Sequence, residues 1–242
     1  MDFDDLFDDD RYEENELYDI NLSIKDDANK ELLSLIYMEQ LNHEQALISK
    51  KSETNGFSVE RNFVNSKAFH DKFVREILPV NKEVSERLYQ EAGRLLNFVD
   101  GCPQEYMLAI DARDGHLVVD NFKREGNSKN TSFNDDEMCL INCNKNNVII
   151  MHNHSYLRPP SGKDICTFAE QDKVKLSIVV AHDGYVYAII SARKECLRIY
   201  NEALEEMKKI TDNKEIQKTL ATKYLYDQNE KYNRKLFIME VL

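Results

Sequence analysis

The chain has 242 residues, 42% hydrophobic and 31% charged, which fits a folded protein with one sizeable domain and extensions rather than a disordered or fibrous one. Its formal net charge of -12 opposes non-specific binding to a phosphate backbone, which needs clustered Lys and Arg to release counterions. No apolar run is long enough to span a bilayer, and the acidic start is unlike the basic leader of a signal peptide. Five cysteines (Cys102, Cys139, Cys143, Cys166 and Cys196) lack the spacing of a disulfide scaffold, so reduced thiols and a cytoplasmic location are expected.

Residues 1–20 are dominated by Asp and Glu with Phe3, Leu6, Phe7, Tyr12, Leu17 and Tyr18 among them. Like charges repel and little apolar surface offsets ordering, so this stretch reads as a disordered tail, or as a segment whose aromatics dock on a basic partner. Residues 21–84 read as a helical N-terminal extension. Leu32, Leu35, Ile36, Met38, Leu41, Leu47 and Ile48 recur at helical spacing over residues 27–50, and a linker follows at 52–56. A second helix is predicted over 66–78, ended by Pro79, and a third over 81–98 with Val84, Leu88, Ala92, Leu95 and Leu96 as its buried stripe.

After Gly101-Cys102-Pro103 the period changes to two. Tyr106, Leu108 and Ile110 alternate, Asp111 to Gly115 carries turn chemistry, and Leu117 to Val119 resumes the apolar run, which predicts a β-hairpin. A polar loop over 126–131 and a short helix over 135–143 lead to the apolar run Val148 to Met151. Helix is expected again over 165–171, then two strands, 175–181 and 185–191, joined at His182-Asp183-Gly184. Helices follow over 193–210 and 214–231, so residues 193–242 read as a C-terminal helical extension. The order of elements predicts an α+β fold, a mixed sheet with flanking helices.

The apolar run at Val148 ends on His152-x-His154. Residues i and i+2 of a strand share a face, so both imidazoles are delivered to one point, and Asp164 from the next helix supplies a carboxylate. His and carboxylate oxygen form a suitable donor set for a catalytic zinc with an open position. Ser161-Gly162-Lys163-Asp164 equally fits a capping box, with Ser161 as the cap and the acid reaching back to it. Cys139-x-x-x-Cys143 could complete a closed Cys2His2 zinc site with the same histidines. His182 and His116 lie at turns and read as surface residues, and Arg158 as a loop residue within reach of a substrate.

His152-x-His154, a proline-containing loop and Ser161-x-x-Asp164 together resemble the signature of the JAB/JAMM (MPN) metalloprotease-like domain, including its RadC-type and phage- or toxin-associated branches. The loop, Ser155 to Pro160, is one residue shorter than the family's, and Ser155 stands where a proline often follows the second histidine. Glu105, at a strand start upstream, corresponds to the family's glutamate, and the hairpin around His182-Asp183-Gly184 is similar to the one that follows the family motif. The resemblance covers about residues 85–192 and implies a cytidine-deaminase-like JAB/MPN core.

It also implies a Zn2+ ion on His152, His154 and Asp164, and hydrolysis of a peptide or isopeptide bond. Glu105 would accept a proton from the metal's water and pass it to the leaving amine, and Ser161 would donate to the developing oxyanion. The substrate implied is a protein or peptide, a ubiquitin-like conjugate included, in a bacterial or mobile-element setting. The alternatives are a non-catalytic binding module on the same fold, and a RadC-like nucleic-acid-associated protein, which the net charge disfavours.

Overall fold

Asparagine and serine side chains cap most of the described helices. In the computed structural model, which describes residues 57–74, 78–124, 131–155 and 158–242, a single turn α1 (Arg61–Val64) precedes α2 (Lys67–Phe73). Ser66 caps α2 by accepting from the Phe69 N–H at 3.2 Å, and Asn81 caps α3 (Lys82–Phe98) by accepting from the Val84 N–H at 2.9 Å. A cap followed by helix formers at 3.6-residue spacing suffices to set these boundaries. The predicted second helix is shorter than expected, and the tail, the helix over 27–50 and the linker lie outside the described residues.

The hairpin forms as predicted, β1 (Met107–Asp111) against β2 (Leu117–Asp120), and a capping box of Asn134 and Glu137 starts α4 (Asp135–Cys143). There follow β3 (Val148–His154), α5 (Gly162–Glu170), β4 (Val174–Ala181) and β5 (Val186–Ala192), then α6 (Glu195–Lys208) and α7 (Lys214–Lys231). A sixth strand, β6 (Phe237–Val241), closes the chain. The six strands form one mixed sheet in the order β2-β1-β3-β4-β5-β6, parallel only between β3 and β4, so the fold is α+β.

Strand alternation divides the sheet's two faces between two helical layers. Leu108, Ile110, Ile149, Met151, Ile178 and Val180 pack with Phe69, Phe73, Leu88 and Leu95 of α2 and α3. Met107, Ile150 and Val174 face the opposite way and pack with Ile141 of α4, while Ile189 packs with α5, α6 and α7. These helices are therefore walls of the core: the described part of the expected N-terminal extension, 21–84, and the expected C-terminal one, 193–242, pack against the sheet, and the latter, expected to be helical, ends instead in β6.

The C-terminal correction has a local cause. Asn233 and Arg234 both take positive φ, 54° and 61°, which stops α7 and turns the chain back onto the sheet edge. The buried Asn229 then holds the returning strand: its Oδ1 accepts from the Leu236 and Phe237 N–H groups and its Nδ2 donates to the Phe237 carbonyl. Side-chain pairing of this sort leaves no hydrophobic periodicity to read in a sequence. Among the described residues, no helix is long and apolar enough to cross a membrane.

Candidate metal centre

Parallel pairing forces the chain to cross over between β3 and β4, and the crossover here contains α5. It returns the chain above the C-terminal end of β3, the end at which open sheets of this kind bind ligands. His152 and His154 leave β3 at this end on one face. Their Nε2 atoms lie 3.2 Å apart, with ring centroids at 5.0 Å and planes inclined by 61°. Asp164, in the first turn of α5, brings Oδ1 to 3.8 Å from His152 Nε2 and Oδ2 to 3.8 Å from His154 Nε2. These three donors all lie within 4.8 Å of one another.

The fit to a metal is tested by distance. Two nitrogens bound about 2.0–2.1 Å from a tetrahedral zinc stand about 3.3 Å apart, close to the separation of these two. The carboxylate has to close by about half an ångström to match the same tetrahedron. The tautomer of His154 agrees with this use of its ring. His154 Nδ1 lies 3.1 Å from the Arg158 carbonyl, which requires a proton on Nδ1 and leaves the lone pair on Nε2 facing the cluster. Burial, offset by the charge of Asp164 and reinforced by His154, pushes the His152 pKa down to about 4, so at neutral pH this ring is the uncharged form that ligates metal.

Asp164 is in its ionised form. Burial raises its pKa, but both histidines and the donors of Ser161 outweigh that effect and the net direction is down. The Ser161 N–H and the Ser161 hydroxyl each donate to Asp164 Oδ2 at 2.7 Å, and the Asp164 N–H donates to Ser161 Oγ at 3.2 Å. The capping box is thus present together with the histidine cluster. Oδ2 takes the cap bonds and also stands beside His154, while Oδ1 faces His152. The Ser161 hydroxyl, expected to donate to an oxyanion, gives its proton to Asp164 here.

Glu105 joins from the adjoining strand. The β1–β3 register ends with Met107 opposite His152, and Glu105 lies two residues before that pair, in the segment leading into β1. Burial, with the negative charge of Asp164 added, pushes the Glu105 pKa up to about 8, against the opposing effect of Arg158 and Lys163. Both cations are exposed.

The helices after the sheet hold the ligand turn from outside. The Thr222 Oγ1 of α7 accepts from the Gly162 N–H at 3.0 Å, and the Tyr226 hydroxyl donates to the Pro160 carbonyl at 2.9 Å. Gly162 lies so close to Tyr200 of α6 that a Cβ there would come within 2.4 Å of its ring. None of these contacts carries a sequence signal, because each spans dozens of residues.

Two further sequence readings change. Cys139 and Cys143 stand 3.9 Å apart on an exposed stretch of α4 and do not join the histidines, so among the described residues no Cys2His2 site forms. His182 is not a surface residue: it is buried, with Nδ1 2.8 Å from the Phe57 carbonyl and Nε2 3.3 Å from Asn153 Nδ2. His116 is exposed as expected, paired with Asp114 at 2.7 Å. No family model, no curated protein and no solved structure matches this chain.

Proposed function

We propose that the chain is a zinc-dependent hydrolase of the JAB/JAMM type that cleaves a peptide or isopeptide bond. The observation that carries this reading is the convergence of His152, His154 and Asp164 beside a glutamate whose pKa is raised. His152 and His154 present Nε2 atoms 3.2 Å apart, Asp164 Oδ1 stands 3.8 Å from His152 Nε2, and Glu105 is near enough to Asp164 for that charge to raise its pKa. The resemblance of the motif and of Glu105 to that family points to acyl transfer to water among the hydrolyses such a set permits.

Zinc held by these three side chains supplies activation of a water molecule and polarisation of the scissile carbonyl. The residues of the chain do the rest. Glu105 accepts a proton from the water as its oxygen adds to the carbonyl carbon, and returns that proton to the leaving nitrogen as the C–N bond breaks. A nearby cation favours the ionised form of Glu105, so metal binding and readiness of the base go together. Ser161 orients Asp164 through the cap. Arg158 orients His154 through its carbonyl and, with Lys163, lines the side from which a substrate enters.

The test uses full-length protein purified without chelator. Elemental analysis is expected to find about one zinc per chain, the number one His2Asp set holds. Incubation with a proteome-derived peptide library, read by mass spectrometry, is expected to yield new N-termini that vanish on zinc removal. Glu105→Gln is expected to keep the metal and lower the cleavage rate by about 10²–10⁴. Absence of near-stoichiometric zinc, or cleavage indifferent to Glu105→Gln, sinks the reading.

A further inference from the structure

Asn153 stands between the two histidines on β3, and its side chain points the other way, into the layer formed with α3. It is wholly buried in an otherwise apolar strand, where an amide costs free energy unless its hydrogen bonds are made. They are made to the backbone on both sides of Glu105. Asn153 Oδ1 accepts from the Tyr106 N–H at 2.8 Å, and Nδ2 donates to the Gln104 carbonyl at 3.1 Å. The Asn153 N–H also donates to the Tyr106 carbonyl at 3.3 Å. The amide thus replaces the main-chain rungs that regular pairing would place here, at the point where the β1 ladder to β3 has ended.

Behind Asn153 lies His182. The second proton of Nδ2 points to His182 Nε2 at 3.3 Å, and His182 Nδ1 donates to the Phe57 carbonyl at 2.8 Å, which fixes the tautomer with the acceptor toward Asn153. Its backbone is held as well: the His182 N–H donates to the His154 carbonyl at 3.2 Å, and its carbonyl accepts from the Glu60 N–H at 2.8 Å. A second buried asparagine secures the far side of the segment, Asn121 Oδ1 accepting from the Met107 N–H at 2.8 Å. Every amide hydrogen of Asn153 and its oxygen are engaged, so the side chain has one orientation, and the backbone at Glu105 is tied to the strand that carries the histidines.

We infer that Asn153, with His182 behind it, is the positioning residue that sets Glu105 against the metal ligands. The inference rests on the proposed role of Glu105. A residue needed only for folding has no reason to bracket this one position with both ends of its amide, and a residue needed for metal affinity would contact a ligand ring, whereas the Asn153 side chain bonds to Gln104, Tyr106 and His182. Loss of Asn153 therefore leaves the ligands in place and displaces the base.

Substitution of Co2+ for zinc in the full-length protein tests this without a known substrate. The pH midpoint of the Co2+ visible absorption follows ionisation at the metal's inner shell, and Glu105→Gln is expected to move it by removing the proton acceptor. Asn153→Leu, which keeps the volume and removes the bonds, is expected to move the midpoint in the same direction. Its Co2+ affinity should fall by less than the roughly tenfold typical when a contact orienting a ligand is lost. His182→Phe, which leaves Asn153 without its support, is expected to give a smaller shift of the same sign, and decides the matter if Asn153→Leu does not fold.

A wild-type midpoint in both Asn153→Leu and His182→Phe, with Glu105→Gln shifted, overturns the inference and leaves the role of Glu105 standing. Loss of Co2+ from Asn153→Leu as complete as from His154→Ala also overturns it. An unmoved midpoint in Glu105→Gln is a different failure: it removes Glu105 as the proton acceptor, and the inference with it.

Discussion

Among the described residues, two trios of histidine and aspartate bring their polar atoms together, one of two histidines and an aspartate and one of two aspartates and a histidine, and their lone pairs are used differently. His152, His154 and Asp164 converge at the end of β3, and Asp111, Asp114 and His116 converge at the β1–β2 turn. In the turn, the lone pairs are occupied. Asp111 Oδ1 accepts from the Arg113 N–H at 2.7 Å, Oδ2 accepts from Asn144 at 2.7 Å and Asn146 at 3.0 Å, and Asp114 Oδ1 accepts from the N–H and Nδ1 of His116. Burial raises the Asp111 pKa, but these donors outweigh it and hold the carboxyl below the usual range. At the β3 end, the Nε2 lone pair of His154 faces its neighbour ring, and Asp164 Oδ1 has His152 in front of it. Proximity of ligand atoms alone does not argue for a metal, and the proposed zinc is placed on the trio at the β3 end because fewer of its lone pairs are engaged by donors of the chain.

The sharpest way to break the comparison is to remove one member of each trio. Structural zinc sites bind with roughly 10–16 kcal/mol shared among about four ligands, so His154→Ala is expected to weaken zinc binding by about two to three orders of magnitude. Asp111→Ala is expected to leave zinc stoichiometry and affinity unchanged while destabilising the fold by about 2–4 kcal/mol, because it orphans buried donors of Asn144, Asn146 and the turn backbone. Isothermal titration with zinc and urea unfolding separate the outcomes. Zinc affinity that falls equally in both variants would erase the distinction.

The two trios also show what a sequence can disclose. His152 and His154 were legible because strand alternation alone puts them on one face, and Asp164 because a cap and a ligand position coincide at a helix start. Glu105 is legible only through resemblance, since nothing local marks an acid at a strand start as a base; its nearness to Asp164 is a tertiary fact. Asn153 carries a signal of its own, a lone amide in the run V-I-I-M-H-N-H, which in a strand interior demands partners. His182 was misread because turn residues are usually exposed, and here the segment at Phe57 and Glu60 covers the turn. The roles of Thr222, Tyr226 and Tyr200 were invisible, and so was β6, because contacts between distant elements leave no periodicity.

The ligands also differ in how they are held, and this gives a smaller effect. The histidines sit on a strand paired on both sides, while Asp164 depends on the seating of α5 against α6 and α7. Gly162→Ala places a methyl within 2.4 Å of Tyr200 Cε2 and 2.5 Å of Cδ2. Overpacking of this kind costs about 1–3 kcal/mol, more than the roughly 1 kcal/mol gained from alanine's helix propensity. A shifted α5 carries Asp164 away, so zinc affinity is expected to fall by about tenfold, the scale of a lost orienting contact. Unchanged affinity with unchanged stability would show that Tyr200 yields and that the turn is not seated by it.

The smallest effect concerns the empty-handed protein, stripped of metal by chelator, in which Glu105 has only its neighbours to balance its charge. Burial and Asp164 push its pKa to about 8 from 4.5. Between those values the unfolded chain has released the proton and the folded chain retains it, so the folded state binds more protons and stability falls as pH rises. The contribution is intact below the unfolded value and is lost as pH passes through the folded one. Glu105→Gln has no such proton and is expected to hold its stability where the wild type declines, the gap growing by about 1–2 kcal/mol from pH 5 to pH 7 after allowance for partial solvent screening. Saturating zinc should narrow that gap, since a cation at the ligands favours the ionised glutamate. Urea unfolding of both proteins at each pH, with and without zinc, reads the gap directly. A gap of the same size in both conditions would place Glu105 out of electrical contact with the metal ligands, and its proposed part in proton transfer would go with it.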